Sequence, residues 1–357
     1  MIIEYDTIIV GGGVIGSGIA YHLSEVQPNG ILVLDKDFPL NGTSGSTQGW
    51  VWIQSKVPSW YGELSMFSAD LYEYLPRRIG DIEYKRTGGI GPFFTEEERE
   101  LAKRLAETQA GVGIHIDILS REETLAREPS LSPDIVGSTY CSIDGNVNPM
   151  RLVEQYMRAA KKNGVTYEYS NPVVAIEKKQ GSYIVTAKRG TYSCKKLILS
   201  AGVWTQAVGK MLGIDIPVFP VRGQIIVTEP VAPLFKHTLS SMRQASNGEV
   251  LIGYTKEYAG FDRSTTLDVM EETANFGVKV VPVLAKAKIV RSFAGLRVMP
   301  QDEIPIIGHI PGFDNLYIAV MHSGITLSPL AGAIITELIT EGESSIPIDC
   351  LSITRFA

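Results

Sequence analysis

The stretch Tyr5–Ser24, YDTIIVGGGVIGSGIAYHLS, sets Gly11, Gly12, Gly13 and Gly16 between two apolar runs. Thr7–Val10 is a short, continuous apolar run of the kind buried on both faces of a parallel sheet. Beyond the glycines, Ile15, Ile19 and Leu23 recur on one helical face. Pro28-Asn29-Gly30 marks a turn, and Ile31–Leu34 reads as a second buried strand ending at Asp35. Gly11-x-Gly13-x-x-Gly16 therefore joins strand to helix in a βαβ unit, with an acid about 20 residues further on. The first glycine makes the tight turn, the second admits a pyrophosphate to the backbone, and the third lets helix and strand pack closely. The helix N-terminus presents its free amides to the phosphates, and Asp35 is placed to accept from ribose hydroxyls. Such a chain folds as α/β and holds a dinucleotide. The spacing alone does not separate NAD from FAD.

The 357 residues are enough for two lobes with ample core. A formal net charge of −6 disfavours nucleic acid, which needs a basic footprint. Cys141, Cys194 and Cys350 are odd in number and far apart, so they read as reduced thiols of a cytoplasmic protein, with no metal site. No run of 18 apolar residues suggests a membrane span. Glu4 and Asp6 stand where a leader peptide would be basic.

Further along, helices are expected over 96–109, 148–163 and 271–285, and strands over 164–169, 183–187 and 197–200. VRGQIIVTEP and EVLIGYTKEYAGFD carry the alternation of an antiparallel sheet. The C-terminal part reads as a strand, NLYIAV, a glycine turn, and an apolar helix after Ser328. Parallel units at both ends imply a Rossmann-like dinucleotide domain (1–75, 145–215 and 286–357). It is interrupted by a mixed, largely antiparallel substrate domain (76–144 and 216–285).

Seven segments carry a more specific resemblance. They are DTIIVGGGVIGSGIAYHLS, GTSGSTQGW (Gly42–Trp50), DGNVNPMRL (Asp144–Leu152), LILSAGVWT (Leu197–Thr205), VRGQ (Val221–Gln224), AGLRVMPQDEIPIIG (Ala294–Gly308) and MHSGITLSPLAG (Met321–Gly332). In this order the chain resembles the D-amino-acid oxidase superfamily, in the branch of glycine oxidases, sarcosine oxidases and D-amino-acid dehydrogenases. Its details are most similar to flavin-bearing β subunits of hetero-oligomeric amino-acid and opine dehydrogenases. The resemblance implies FAD and extends the cofactor contacts from Gly11, Gly13 and Gly16 to Val14, Ile15, Asp35 and Lys36. It adds Thr43, Ser44, Ser46, Gln48, Gly49 and Trp50 of the polar loop, with the hydroxyls on pyrophosphate and Gly49 letting the backbone pass the flavin. It further adds Val174, which would meet the adenine, and Gly202 and Gly295. Ser323, Gly324, Ile325 and Thr326 would open a helix aimed at the flavin N1–C2=O edge.

The resemblance also implies that Arg297 holds a substrate carboxylate, for which a guanidinium fork is well shaped. Tyr254 is a second candidate, as pocket wall or hydroxyl donor, and His322 a third, each weighed against a packing role. Trp50, Trp52 and Gln54 follow the flavin loop and are placed to line the cavity, whereas Arg222 reads as a brace between domains. The implied reaction is hydride transfer from an amine's Cα–H to flavin N5, giving an imine and then a 2-oxo acid. Three departures shape the expectation. The cysteine that tethers flavin in monomeric sarcosine oxidases falls at Gly295, so FAD is expected to be non-covalent. Their oxygen-activating lysine falls at Leu251, which favours a dehydrogenase. An active-site tyrosine of glycine oxidases falls near Ser241, so glycine need not be the substrate. Two alternatives stand beside this reading: a subunit active only with hetero-oligomeric partners, and an NAD-dependent dehydrogenase. A homo-oligomer is compatible with either.

Overall fold

The computed structural model describes residues 2–356. Thr7–Val10 lies at the heart of a six-stranded sheet. The strand order is Ile306–His309, Leu316–Val320, Lys196–Leu199, Thr7–Val10, Ile31–Leu34 and Thr166–Glu168. All neighbours run parallel except Ile306–His309, which is antiparallel to Leu316–Val320. Alternation along the strands divides the core between the two faces. Ile9, Val33 and Ile198 pack with the helices Val14–Val26, Ser59–Ile79, Pro149–Lys162 and Gly324–Thr340. Ile8, Val10, Leu32, Leu34, Leu197 and Leu199 pack against Ile176, Tyr183, Val185 and Tyr192 of a four-stranded sheet on the other side. Burial on both faces is why these strands are continuously apolar.

A second large sheet has eight strands, in the order Ile289–Pro300, Val218–Thr228, Val250–Ile252, Met242–Gln244, Thr238–Leu239, Gly89–Phe93, Gly137–Cys141 and Asp117–Ser120. It is antiparallel apart from Thr238–Leu239 beside Gly89–Phe93. Its longest pairing runs from Val218 opposite Pro300 to Thr228 opposite Ile289 and sets Arg297 opposite Val221.

Four elements differ from expectation. The C-terminal helix opens at Gly324 and not after Ser328, and EVLIGYTKEYAGFD is strand only over Val250–Ile252. The helix expected over 271–285 is Leu267–Val280, followed by a 3₁₀ turn at Pro282–Lys286. Pro282 lacks the amide a helix needs and disfavours helical backbone at Val281. The 21-residue helix Ser59–Ile79 was not anticipated. Its buried face mixes Ser65, Ser68 and Ala69 with Tyr61, Leu64 and Tyr72, which dilutes the apolar periodicity.

Candidate active site

The turn between Thr7–Val10 and Val14–Val26 shows why glycine is required there. Gly11 has φ +111°, and a Cβ on it would lie 2.4 Å from the Ser200 carbonyl oxygen. A Cβ on Gly16 would lie 1.8 Å from the Gly11 oxygen, so this glycine allows helix and strand to touch. A Cβ on Gly13 would meet only Ser44 Oγ, at 3.2 Å, within 4 Å. Space is thus left in front of the helix N-terminus. Asp35 ends its strand beside this turn. Its carboxylate accepts from the Gly12 amide at 2.7 Å and the Asp37 amide at 3.0 Å. Burial raises its pKa against those two bonds.

From this turn a cavity of ≈ 580 Å³ extends between the two large sheets. Its lining takes in Gly11, Gly13, Val14, Ile15, Asp35 and Lys36 of the βαβ unit, with the Lys36 ammonium 3.8 Å from the centre of the Trp204 ring. The polar loop adds Thr43, Ser44, Ser46, Gln48 and Trp50, and Gly202 adjoins it. The second sheet and the C-terminal turn add Gly295, Arg297, Tyr254, His322, Ser323, Gly324, Ile325 and Thr326, and a Cβ on Gly324 would lie 3.5 Å from Ile15. The structure therefore brings most of the sequence-selected residues around one cavity.

The exceptions have local causes. Val174 is 57% exposed at an irregularity in strand pairing between Val173 and Ala175, and the cavity is lined instead by its neighbours Pro172 and Val173. Gly16 lies behind the turn. Gly49, expected to let the backbone pass the flavin, has φ +85° and abuts the Val147 carbonyl, 2.2 Å from where a Cβ would sit. Two hydroxyls expected at the cofactor already have protein partners. Thr43 Oγ1 donates to the Leu296 carbonyl at 2.6 Å. Thr326 Oγ1 donates to the Trp50 carbonyl and accepts from the Trp52 amide, both at 3.2 Å. Ser44 Oγ accepts from the Val14 amide at 3.0 Å and retains its proton for an anion. Trp52 lines the cavity, but Gln54 is buried and bonds Asp144. Arg222 pairs with Glu257 at 2.7 Å and Asp262 at 2.5 Å, which tie the loop after Tyr254 to its own sheet and do not brace two domains.

Arg297 extends beneath Gly223, with one Nη committed to the Thr255 carbonyl, and burial lowers its pKa. The remaining N–H groups of its fork are left for a ligand. Tyr254 borders the cavity with its ring, while its hydroxyl donates to Glu272 Oε1 at 2.5 Å; that bond raises its pKa to about 12. It serves as a wall, and the hydroxyl-donor role is not what the geometry offers. His322 Nδ1 lies 3.1 Å from Ser323 Oγ. Burial first, then the charges of Lys56, Arg297 and Lys256, lowers its pKa to about 3 and keeps the imidazole neutral.

Lys56 and Lys256 also line the cavity and were not selected from sequence. Lys56 follows the flavin loop as an ordinary residue in IQSK, and no spacing marks it. Its ammonium donates to Ser323 Oγ at 2.5 Å, and burial lowers its pKa to about 8 against the attraction of Asp144.

The site fits a flavin dinucleotide. It joins an open helix N-terminus and an acid to a largely apolar cavity lined on the second sheet by Gly295, Val298 and Ile225. Gln48 Oε1, Trp50 Nε1 and Tyr61 Oη are buried without a hydrogen-bond partner, and two of these residues line the cavity.

The βαβ unit, the second sheet and the cavity between them define a dinucleotide-dependent oxidoreductase. Residues 6–338 match the family described as FAD dependent oxidoreductase (DAO), and the chain belongs to that family. It is an FAD-dependent enzyme of the glycine-oxidase type, and the NAD alternative falls away. It is 30% identical to an opine oxidase subunit of Rhizobium meliloti, over 99% of this chain and 98% of that one. It is 29% identical to the hydrogen cyanide synthase subunit HcnC of Pseudomonas protegens, covering 100% and 97% of the two chains. The crystal structure of glycine oxidase from Geobacillus kaustophilus superposes with a TM-score of 0.92, at 26% identity and 99% coverage of both chains. Among the described residues, no helix is long and apolar enough to cross a membrane, and no His, Cys, Asp and Glu cluster could hold a metal.

Proposed function

We propose that this chain oxidises the C–N bond of a small amino acid or N-substituted amino acid whose carboxylate is held by Arg297. The observation that carries this is the placement of Arg297, a half-buried guanidinium with a largely free fork, on the same cavity that the glycine turn lines. FAD would be held by the Gly11–Gly16 turn, Asp35, Ser44 and Ser46, and the helix opened by Ser323 and Gly324. The chemistry it supplies when bound is acceptance of a hydride equivalent, taking an amine to an imine that hydrolyses to a 2-oxo acid. The protein's own part is orientation. Arg297 fixes the carboxylate, and the walls from Trp50, Trp52 and Tyr254 exclude water and confine the amine. With His322 neutral and Arg297 charged, a substrate entering as the free amine needs no strong general base. FAD is non-covalent in this reading, because Gly295 offers no nucleophile. Leu251, where an oxygen-activating lysine would stand, is 8% exposed in an apolar cluster with Ile225 and Val227, which supports a dehydrogenase. The division into an FAD-binding and a substrate domain, and a cytoplasmic setting, belong to the same reading.

A second reading has a specific observation behind it. Tyr258 (81% exposed), Phe261, Leu267 (90%), Ile289 and Val290 leave apolar surface on the eight-stranded sheet and its loops. Two relatives are by name subunits. The chain then works as the flavin-bearing member of a hetero-oligomer, with partners that receive the electrons.

The test is anaerobic bleaching of the flavin by a panel of D-, L- and N-alkyl amino acids and N-(carboxyalkyl) amino acids. Bleaching by one group names the substrate class, and slow reversal in air supports the dehydrogenase. A yellow protein that no member bleaches points to the hetero-oligomer reading. A colourless protein that takes up no FAD overturns both.

A further inference from the structure

The charges lining the cavity do not balance. Its acidic lining residues are Asp35, whose carboxylate accepts from the Gly12 and Asp37 amides, and Asp37, which pairs with Lys36 at 3.1 Å. The other lining cations are Lys56, Lys256 and Arg297. All three lie close enough to His322 for their charges to be felt by that one imidazole. Arg297 donates to the neutral Thr255 carbonyl and Lys56 to the neutral Ser323 hydroxyl. Asp144, whose charge attracts Lys56, has its oxygens taken by the Ile53 amide at 2.6 Å and Gln54 Nε2 at 2.7 Å. Lys56 is also set beside the N-terminus of the helix Gly324–Thr340, where the helix dipole adds positive potential.

Lys56 is half-buried, with its ammonium 5.4 Å from the centre of the Tyr61 ring. An ammonium so placed, next to a helix N-terminus and without a carboxylate in contact, gains from an anion that joins it. One substrate carboxylate on Arg297 leaves Lys56 with no anion in contact. We propose that Lys56 anchors a second carboxylate, so that the substrate is a dicarboxylate amine and not a monocarboxylate such as glycine. The second acid sits either on the side chain, as in an acidic amino acid, or on the nitrogen substituent, as in an N-(carboxyalkyl) amino acid. Lys256, exposed and lining the cavity, attracts the dianion on entry. This inference rests on the reading of Arg297 as the first carboxylate anchor.

The test is a titration of the oxidised flavin's absorption in the purified holoenzyme. Propionate and butyrate are compared with malonate, succinate, glutarate and adipate. At least one dicarboxylate is expected to bind tenfold or more tightly than the monocarboxylates, and the best chain length reports the Arg297–Lys56 span. Lys56→Met should abolish that advantage while leaving monocarboxylate affinity within threefold, and Lys56→Arg should keep most of it. A wild-type protein with no dicarboxylate advantage overturns the proposal without any variant. So does a Lys56→Met protein that keeps the advantage. If Lys56→Met instead keeps it and only weakens the flavin's sulfite adduct, Lys56 serves the cofactor and the proposal is again overturned. Arg297→Met should weaken both ligand classes. If it weakens neither, the first anchor is misplaced, a failure distinguishable from that of Lys56. Acidic amino acids and N-(carboxyalkyl) amino acids, compared in the bleaching assay, then separate the two positions of the second acid.

Discussion

Alanine at position 13 would place a methyl group where, of all protein atoms, only Ser44 Oγ at 3.2 Å lies within 4 Å. Gly13 has φ −73° and ψ −170°, extended backbone that alanine adopts without strain. The cost to the cofactor-free fold is that of a poorer N-cap, about 1 kcal/mol or less. The methyl nevertheless fills the approach to the helix N-terminus. If it displaces two amide–phosphate hydrogen bonds of about 1.5 kcal/mol each, FAD affinity falls by about 3 kcal/mol, roughly a hundredfold. Thermal melts separate the two effects. At FAD near one hundred times its wild-type Kd, the wild-type chain gains about 2.7 kcal/mol, worth about 3–4 °C in a chain of this size. Gly13→Ala at the same concentration gains only about 0.4 kcal/mol. Gly16→Ala is the contrast, because its Cβ would lie 1.8 Å from the Gly11 oxygen and 2.8 Å from Ser200 Oγ. That variant should lose the soluble fold itself. A Gly13→Ala protein with FAD affinity within threefold of wild type refutes a pyrophosphate at this turn. One that unfolds like Gly16→Ala refutes the separation of cradle from packing.

Arg297→Met should raise the substrate concentration for half-maximal anaerobic flavin reduction by roughly 10²–10⁴-fold, the loss of a pair of charge-assisted bonds. Arg297→Lys should fall between, and an unchanged value would move the carboxylate elsewhere. Lys56, with its folded pKa of about 8 below the ordinary 10.5, titrates in a useful range. The advantage of dicarboxylate ligands should shrink as pH rises through 8; a flat profile counts against a charged Lys56. In the same window the unfolded chain keeps the proton that the native one sheds, so Lys56 makes stability rise with pH between about 8 and 10.5. Lys56→Met should remove that slope from denaturant unfolding curves. Finally, acid precipitation should release all flavin into the supernatant; yellow colour retained on the pellet would mean a covalent link.

What could be read from the sequence was what local pattern encodes. Thr7–Val10, the glycine turn and Asp35 carry their geometry in adjacent residues, and the strand and helix between them follow. The long strand carrying Arg297 was reached through the resemblance of AGLRVMP, since one arginine among apolar residues has no periodic signature. Lys56 could not be found this way. Its importance arises from the approach of Ser323, 267 positions away. The side of the strand on which Val173 and Val174 stand, and the capture of the Tyr254 hydroxyl by Glu272, depend likewise on register and on packing between distant elements. Periodicity predicts which residues leave water, but not which of them gather around a shared void.

The contact between the polar loop and the long strand sets how the site can change. Thr43 bonds the Leu296 carbonyl, and Gly295 lies so close to Ser46 that a Cβ would stand 2.5 Å from its carbonyl oxygen. Arg297, the proposed carboxylate anchor, is therefore fastened, one residue away, to the polar loop that lines the cavity. Reach from anchor to cofactor is a fixed gauge, written in main chain. Lys56 projects from another segment and carries no part of that gauge, whereas Tyr254 and Lys256 flank Thr255, whose carbonyl holds Arg297. On the proposed reading, substitution at Lys56 exchanges one amine for another without loosening Arg297.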